Sequence, residues 1–253
     1  MRFEIIFDST QPIRLPIQYN YVIQGMIYKH LGHEYSSQLH DEGYIYQNRH
    51  FKLFTFSRLN GRFKQNRESN EILFYPPVAL TISSPIERFA YELGYSLLAS
   101  DDLHLGDNPV KVSGFNALTE PIINPPEAIG ILSPITVYST LRTQDNKAKT
   151  YYYSPYEEEF SRLIESNLKK KFTLIYNKNP EDEQTISIKP LKISKNSEVI
   201  IKYKETIIKA WRGVYILEGD PELIKVGYDS GLGSKNSQGF GCFKFLTKGD
   251  NHD

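Results

Sequence analysis

An eleven-residue stretch near the C-terminus constrains this chain more than any other feature of its sequence. Residues 231–241 read Gly-Leu-Gly-Ser-Lys-Asn-Ser-Gln-Gly-Phe-Gly, so two Gly-hydrophobic-Gly triplets enclose five small or polar residues. Four glycines in eleven residues increase the entropy lost on folding, so they indicate positive φ angles or a close approach of the backbone to another group. We expect amide groups of this loop to turn toward an anion.

The spacing of these glycines excludes the common nucleotide-binding loops. A Walker loop requires Gly-Lys-Ser/Thr after four intervening residues, and a dinucleotide fold requires a third glycine where Asn236 stands. The predicted anion is therefore not a mononucleotide bound in one of these ways.

Composition limits the class of protein. The 253 residues allow one large domain or two ordinary ones, and a hydrophobic fraction of 40% is ample for a core. Thirty basic and thirty acidic side chains balance, so only local patches can attract a polyanion. The single cysteine, Cys242, excludes an internal disulfide and fits a reducing compartment. Because neither a leader nor a membrane-length apolar run is seen, we expect a soluble, cytoplasmic protein without a membrane partner.

The first half of the chain alternates predicted strands and helices in a familiar order. Apolar spacing predicts the helices, and alternation with β-favouring residues predicts the strands. The predicted elements are strand 2–7, helix 19–31, short helix 34–41, strand 51–57, a strand within 72–82, helix 85–99 and strand 110–118. Leaving the short helix aside, β-α-β-β-α-β is the ferredoxin-like arrangement.

The second half follows a proline-rich segment, 121–126, which predicts a linker. Its predicted elements are strand 130–141, helix 155–171, strands 186–193, 199–204 and 211–218, helix 221–228 and strand 242–246. Helix 155–171 has an acidic first turn and a basic last turn, 169–171, which suits the helix dipole. The second half thus roughly repeats the first, and the predicted class is α+β.

Several motifs together resemble a known family. They are the 231–241 loop, Met1-Arg2-Phe3, Gln24-Gly25-Met26-Ile27-Tyr28 and Lys52-Leu53-Phe54-Thr55. The chain resembles the CRISPR-associated endoribonucleases that cut precursor CRISPR RNA within its repeats, although residues 60–125 match only loosely. The resemblance implies two tandem ferredoxin-like domains. We place them at 1–122, with the catalytic residues, and at 127–253, with the glycine-rich loop.

The resemblance also implies three catalytic residues, His40, Tyr28 and Lys52. A metal-independent ribonuclease requires a base, an acid and a cation, and histidine suits either proton role near neutral pH. Lys52 would stabilise the phosphate charge. Which of Tyr28 and His40 is base and which is acid stays open. The alternative interpretations are an exposed helix histidine, a packed surface tyrosine, and a lysine whose stem packs along Phe54 and Phe56.

RNA contacts are predicted in two regions. Six basic residues and no acidic one lie between positions 49 and 67, which indicates a phosphate-contacting patch beside the site. The glycine-rich loop is the other region. The predicted RNA-binding residues are Arg49, Arg58, Arg62, Lys64, Gly231, Gly233, Lys235, Asn236, Gly239 and Gly241.

No metal or other cofactor is predicted. His30 and His33 are spaced three apart, which would allow a shared metal, but no carboxylate or cysteine set completes a site. We therefore interpret them as exposed histidines at a helix end.

The sequence is compatible with three functions. The first is a metal-independent endoribonuclease that binds CRISPR repeat RNA and cleaves precursor crRNA by 2′-hydroxyl attack, giving a 2′,3′-cyclic phosphate and a 5′-hydroxyl. The second is a non-catalytic repeat-RNA-binding subunit of an interference complex, with other CRISPR-associated subunits as partners. The third is a ferredoxin-like protein of unrelated function. Tyr28, His40 and Lys52 occurring together favour the enzyme, because relatives that only bind RNA need none of them.

Overall fold

The computed structural model describes residues 1–142, 145, 147–203 and 206–247. The elements of the first half are β1 (Arg2–Asp8), β2 (Ile13–Pro16), α1 (Asn20–Lys29), α2 (His33–Asp41), β3 (Tyr44–Tyr46), β4 (Arg49–Phe51), β5 (Thr55–Phe56), β6 (Asn60–Asn66), β7 (Glu71–Ser83), α3 (Glu87–Ala99), β8 (Leu103–Leu105) and β9 (Asn108–Ala117).

The first sheet has the strand order of a ferredoxin-like domain. Its path is β2-β7-β1-β9-β8, and β5 and β6 also pair with β7. Alternation along β1 turns Phe3, Ile5 and Phe7 into the core, because successive strand side chains point to opposite faces. Helix α1 buries Ile23 and Ile27 in the same core. The sheet therefore provides a rigid base for α1, from which Tyr28 extends.

The second half contains β10 (Glu127–Ile131), β11 (Tyr138–Arg142), β12 (Ala148–Tyr152), α4 (Glu158–Tyr176), β13 (Ile186–Lys192), β14 (Glu198–Tyr203), β15 (Thr206–Trp211), β16 (Val214–Gly219), α5 (Pro221–Ser230) and β17 (Phe243–Phe245). Its four-stranded sheet runs β13-β16-β10-β17, with every pair antiparallel. The hairpins β11–β12 and β14–β15 interrupt a second β-α-β-β-α-β order.

The predicted α+β class with two tandem ferredoxin-like domains is confirmed. The boundaries 1–122 and 127–253 stay a prediction, and residues 248–253 lie outside the described part of the chain. So does residue 204, the last of the strand predicted at 199–204. Among the described residues, no helix combines the length and the apolar character that crossing a bilayer requires.

Three element predictions were wrong in their limits. The strand predicted at 51–57 is interrupted, because Leu53 has a φ of +51° and only Thr55–Phe56 pairs with β7. The strand predicted at 130–141 is two strands, β10 and β11. Helix α4 continues to Tyr176, so residues 169–171 are not its last turn and that turn contains no basic residue.

Polar contacts join the two halves at several points. The Arg2 guanidinium donates a hydrogen bond of 2.6 Å to the carbonyl of Phe243 and lies 4.2 Å from the centre of the Tyr228 ring. Thr55 Oγ1 donates to the carbonyl of Phe240 at 3.0 Å. These contacts hold the glycine-rich loop and β17 against the first sheet.

Candidate functional site

Tyr28, His40 and Lys52 come from three consecutive parts of the first domain. Tyr28 is near the end of α1, His40 is in the last turn of α2, and Lys52 directly follows β4. The Tyr28 ring is half-buried and packs edge-on against the His40 ring, with 5.6 Å between their centres. It packs in the same way against Phe54 at 5.9 Å. Packing against the core therefore determines where the tyrosine hydroxyl lies.

The three side chains line one cavity of about 360 Å³. The residues around it are Gln24, Tyr28, His40, Lys52, Tyr203, Thr206, Ser237 and Gln238. Half of them come from the first domain, and half come from the β14–β15 hairpin and the glycine-rich loop. The cavity therefore depends on both domains.

His40 is exposed and has a carboxylate partner beside it. Its Nδ1 lies 2.8 Å from Oδ1 of Asp41. When Nδ1 donates to this carboxylate, the neutral ring carries its lone pair on Nε2. That arrangement orients the imidazole and leaves Nε2 able to accept a proton.

Lys52 is held close to His40 through the backbone. Its Nζ donates to the carbonyl of His40 at 2.6 Å. Partial burial lowers the pKa of Lys52, and the Asp41 carboxylate opposes that shift. Gly43, at φ +65°, permits this close approach, because a Cβ at that position would lie 2.4 Å from the Phe51 carbonyl oxygen and 2.9 Å from Cδ of Lys52.

Tyr28 is not ionised at neutral pH. Burial raises the pKa of its hydroxyl above the ordinary value, and the neighbouring Tyr203 adds to the shift. The phenol is therefore a hydrogen-bond donor in this cavity.

The glycine-rich loop uses its amides inside the protein. The amides of Gly231, Gly239 and Gly241 donate to the carbonyls of Gly227, Asn236 and Pro134 at 2.8, 2.9 and 2.9 Å. The expectation that loop amides turn toward an anion is wrong for these three, which are all buried. RNA contact by the loop glycines stays a prediction.

These glycines are required by sterics. Gly231 and Gly241 have φ angles of +86° and +76°. A Cβ at Gly231 would lie 2.5 Å from Nδ2 of Asn236, and one at Gly241 would lie 2.0 Å from the carbonyl of Leu232. The loop therefore folds back on itself tightly, with its two triplets packed together.

Helix α1 holds the middle of the loop at the cavity. Asn20 Nδ2 donates to the carbonyl of Gln238 at 2.8 Å, and Gln24 Nε2 donates to the carbonyl of Ser237 at 2.7 Å. The Tyr203 hydroxyl donates to Oε1 of Gln24. Gln24 and Tyr203 were missed as site residues. Gln24 lies in the matched 24–28 segment, whereas no local signal marks Tyr203.

Three of the predicted RNA-binding side chains lie along a second cavity of about 700 Å³. Arg49, Lys235 and Asn236 line it together with Gly233, and it shares Lys52, Ser237 and Gln238 with the first cavity. The Lys235 ammonium lies 5.2 Å from the centre of the Tyr138 ring, and burial lowers the pKa of this lysine. None of the described residues around this cavity is acidic.

The remaining basic residues lie in other surroundings. Arg58 stacks on Tyr19 at 4.0 Å and donates to the Asn20 side chain, so its guanidinium is engaged within the protein. Arg62 and Lys64 are exposed on β6, which runs along β7. The 49–67 segment is therefore not one patch beside the cavity, because the chain continues along β7 from Thr55 to Asn66 and Arg58, Arg62 and Lys64 line neither of the two cavities. RNA contact by Arg58, Arg62 and Lys64 stays a prediction.

The interpretation of His30 was wrong. His30 is buried, with Nδ1 3.1 Å from the Ser96 hydroxyl, because the end of α1 packs on α3. His33 is exposed, as expected. Within the described part of the chain, no three His, Cys, Asp or Glu side chains form a group that could hold a metal ion.

The fold and the cavity define a class: a two-domain ferredoxin-like protein whose glycine-rich loop meets a tyrosine, a histidine and a lysine from the first domain. Two family models match the chain and identify its family. The model of the N-terminal part of CRISPR-associated protein Cas6 matches residues 14–115, and that of the C-terminal part matches residues 118–245. The chain belongs to the Cas6 family.

Individual relatives are similar over nearly the whole chain. The CRISPR-associated endoribonuclease Cas6 1 of Methanocaldococcus jannaschii is 29% identical over 247 residues, 95% of this chain and 91% of the relative. The corresponding endoribonuclease of Pyrococcus furiosus is 28% identical, over 94% of this chain and 86% of its own. A solved structure of a CRISPR-associated Cas6 protein superimposes with a TM-score of 0.78 at 28% identity, covering 98% of this chain and 99% of that one.

Proposed function

We propose that this chain is an endoribonuclease that binds CRISPR repeat RNA and cleaves precursor crRNA within the repeat. The observation that carries the proposal is the cavity in which Tyr28, His40 and Lys52 meet beside the glycine-rich loop. Two similar proteins named as endoribonucleases support the same activity. The reaction needs no metal ion in this proposal, because side chains supply the base, the acid and the cation.

His40 acts as the base. With Nδ1 donating to Asp41, Nε2 takes the proton of the ribose 2′-hydroxyl, and O2′ attacks the adjacent phosphorus. The bond between phosphorus and O5′ breaks, leaving a 2′,3′-cyclic phosphate on one product and a 5′-hydroxyl on the other. This choice follows from Tyr28, because burial raises the pKa of its hydroxyl and so makes it a poorer base than the His40 imidazole.

Tyr28 acts on the leaving group, and Lys52 acts on the charge of the phosphate. The Tyr28 phenol donates its proton to the leaving O5′, an alkoxide that is more basic than a phenolate. The Lys52 ammonium stabilises the charge that accumulates on the phosphate oxygens, a contribution that is often larger than that of proton transfer. The cationic side chains along the 700 Å³ cavity hold the neighbouring phosphates.

The test compares wild type with His40→Ala and His33→Ala on a labelled repeat RNA in excess EDTA. His33 is the matched control, because it is an exposed histidine on the same helix. We expect His40→Ala to lower the single-turnover rate by about 10² to 10⁴ and to leave RNA affinity nearly unchanged. His33→Ala should cut like wild type.

A second substrate carries a 2′-deoxy nucleotide at the cut. Cleavage of this RNA would contradict attack by the 2′-hydroxyl, and an unchanged rate in His40→Ala would remove His40 from the mechanism. Tight RNA binding without cleavage by wild type would instead support the alternative, a non-catalytic RNA-binding subunit that acts with other interference-complex proteins.

A further inference from the structure

Lys171 on α4 is a fully buried lysine with three acceptors around its ammonium group. Its side chain is only 2% exposed. Nζ donates to the carbonyl of Gly231 at 2.7 Å, to Oδ1 of Asn236 at 2.7 Å and to the carbonyl of Ser230 at 3.2 Å. No carboxylate is among these partners. All three belong to the end of α5 or to the glycine-rich loop.

The geometry matches a protonated lysine. An ammonium group has three N–H bonds, one for each acceptor, whereas a neutral amine has only two. Ser230 is the last residue of α5, and the C-terminal end of a helix carries partial negative charge that favours a cation. Burial acts against the charge and lowers the pKa of Lys171 to about 7. Burying a cation in this way destabilises the fold unless its hydrogen bonds are made.

Asn236 extends this contact to the whole loop. Its Nδ2 donates to the carbonyls of Leu232 and Phe240, both at 3.0 Å. Leu232 is the centre of the first glycine triplet and Phe240 is the centre of the second. One amide side chain, held by Lys171, therefore ties the two triplets together.

We propose that Lys171 is a positioning residue for RNA binding, which fixes the 231–241 loop through Asn236 and so places Lys235, Ser237 and Gln238 along the two cavities. The proposal deepens the proposed function, since the ligand is the phosphate backbone of the repeat RNA. Its neighbours on the same face of α4, Leu168 and Phe172, are buried and apolar. An apolar side chain at 171 would fill the core but would leave the three acceptors without their donor.

The first test measures the loop without RNA. Hydrogen exchange is compared in Lys171→Met and Lys169→Met, where Lys169 is a surface lysine of the same helix paired with Glu165 at 3.0 Å. We expect amides of 231–241 to lose protection by about tenfold or more in Lys171→Met, the scale of a lost hydrogen bond to a charged group. Protection in β1 should stay the same. Equal protection of the loop in both variants would contradict the proposal that Lys171 fixes the loop.

The second test measures RNA binding and cleavage separately. We expect Lys171→Met to raise the dissociation constant for repeat RNA by about tenfold or more. The single-turnover rate at saturating RNA should change much less, because Tyr28, His40 and Lys52 are all in the first domain. A normal affinity, or a loss confined to the rate, would contradict the positioning role.

A matched core variant separates positioning from stability. Ile164→Val removes one buried methyl group from the same helix and leaves Lys171 and its three acceptors in place, so it should lower stability and bind RNA like wild type. If Lys171→Met does not fold, Asn236→Ala removes one acceptor and both Nδ2 donations, and it should show the same loss of loop protection. A wild type that binds no repeat RNA would contradict the proposed function. The hydrogen-exchange result is obtained without RNA, so it tests independently whether Lys171 fixes the loop.

Discussion

At the scale of single residues, the molecule depends on polar groups whose partners are far away in the chain. Lys171 contacts Gly231, sixty positions later, and Arg2 contacts Phe243, 241 positions later. Each is buried, and neither donates to a carboxylate of the described residues. Three oxygen acceptors compensate for the lost hydration of the Lys171 ammonium, whereas Arg2 donates to the Phe243 carbonyl and its Nε and Nη1 are buried without a hydrogen-bond partner among the described residues. Both side chains are therefore sensitive to substitution.

Lys171 should make stability depend on pH. Its pKa is about 7 in the folded protein against an ordinary 10.5, so between these values the unfolded chain binds a proton that the folded protein does not. Stability therefore rises with pH across this window, and the full penalty is present below pH 7. From pH 7 to pH 9 the free energy of unfolding of wild type should rise by about 2 kcal/mol relative to Lys171→Met.

Urea denaturation of the two proteins at several pH values checks this result. The other cations around the 700 Å³ cavity, Arg49, Lys52 and Lys235, are present in both proteins, so the difference isolates Lys171. A difference that does not change with pH would show that Lys171 keeps an ordinary pKa.

At the scale of elements, the glycine-rich loop is a folded unit and not a flexible cradle. The amides of Gly231, Leu232, Ser234, Gln238, Gly239 and Gly241 donate to carbonyls within the protein, and helix α1, helix α4 and β5 contribute side chains that hold the loop. The 3₁₀ turn Asn236–Gln238 is only partly buried, and its residues Ser237 and Gln238 line both cavities. Under the proposed function, the loop would therefore be fixed in position before RNA arrives.

Two glycine substitutions should have opposite effects. Gly241→Ala places a Cβ 2.0 Å from the Leu232 carbonyl at a φ of +76°, and we expect a loss of about 3 kcal/mol or more. Gly25→Ala, in α1, meets nothing within 4 Å and should raise stability by about 0.5–1 kcal/mol. Chemical denaturation measures both. A Gly241→Ala protein as stable as wild type would contradict the tight packing of the triplets.

At the scale of the whole molecule, the two domains share polar contacts that are buried. Arg2, Thr55 and Ser83 of the first domain all donate to backbone carbonyls of the second, and each is at most 5% exposed. Separating the domains would leave these groups without partners, which is unfavourable. We therefore regard the domains as one cooperative unit.

Cooperative unfolding follows from these contacts. Trp211 is the only tryptophan and lies in β15 of the second domain, so its fluorescence reports that domain alone. Far-UV circular dichroism reports both sheets. We expect the two signals to give the same thermal midpoint. A tryptophan transition displaced from the circular dichroism transition would show that the domains unfold separately.

Local patterns in the sequence determined much of this protein. Apolar spacing located α1 and α3, strand alternation located β1, and the repeated order of elements predicted two ferredoxin-like domains. The glycine triplets and the short motifs around Tyr28 and Lys52 identified the family resemblance. These features can be predicted because the periodicity of a helix or a strand is visible in residues that are close together in the sequence.

Only the tertiary structure decided the rest. The strands β2, β6 and β12 were not predicted, since each is short, exposed or at an edge of its sheet. Burial of His30 depends on α3, and the environment of Tyr28 depends on Tyr203. Lys171 was predicted in the last turn of its helix, yet it lies in the core because α4 continues past it and the glycine-rich loop folds over it. Burial and partnership depend on elements many residues away, and no local pattern contains that information.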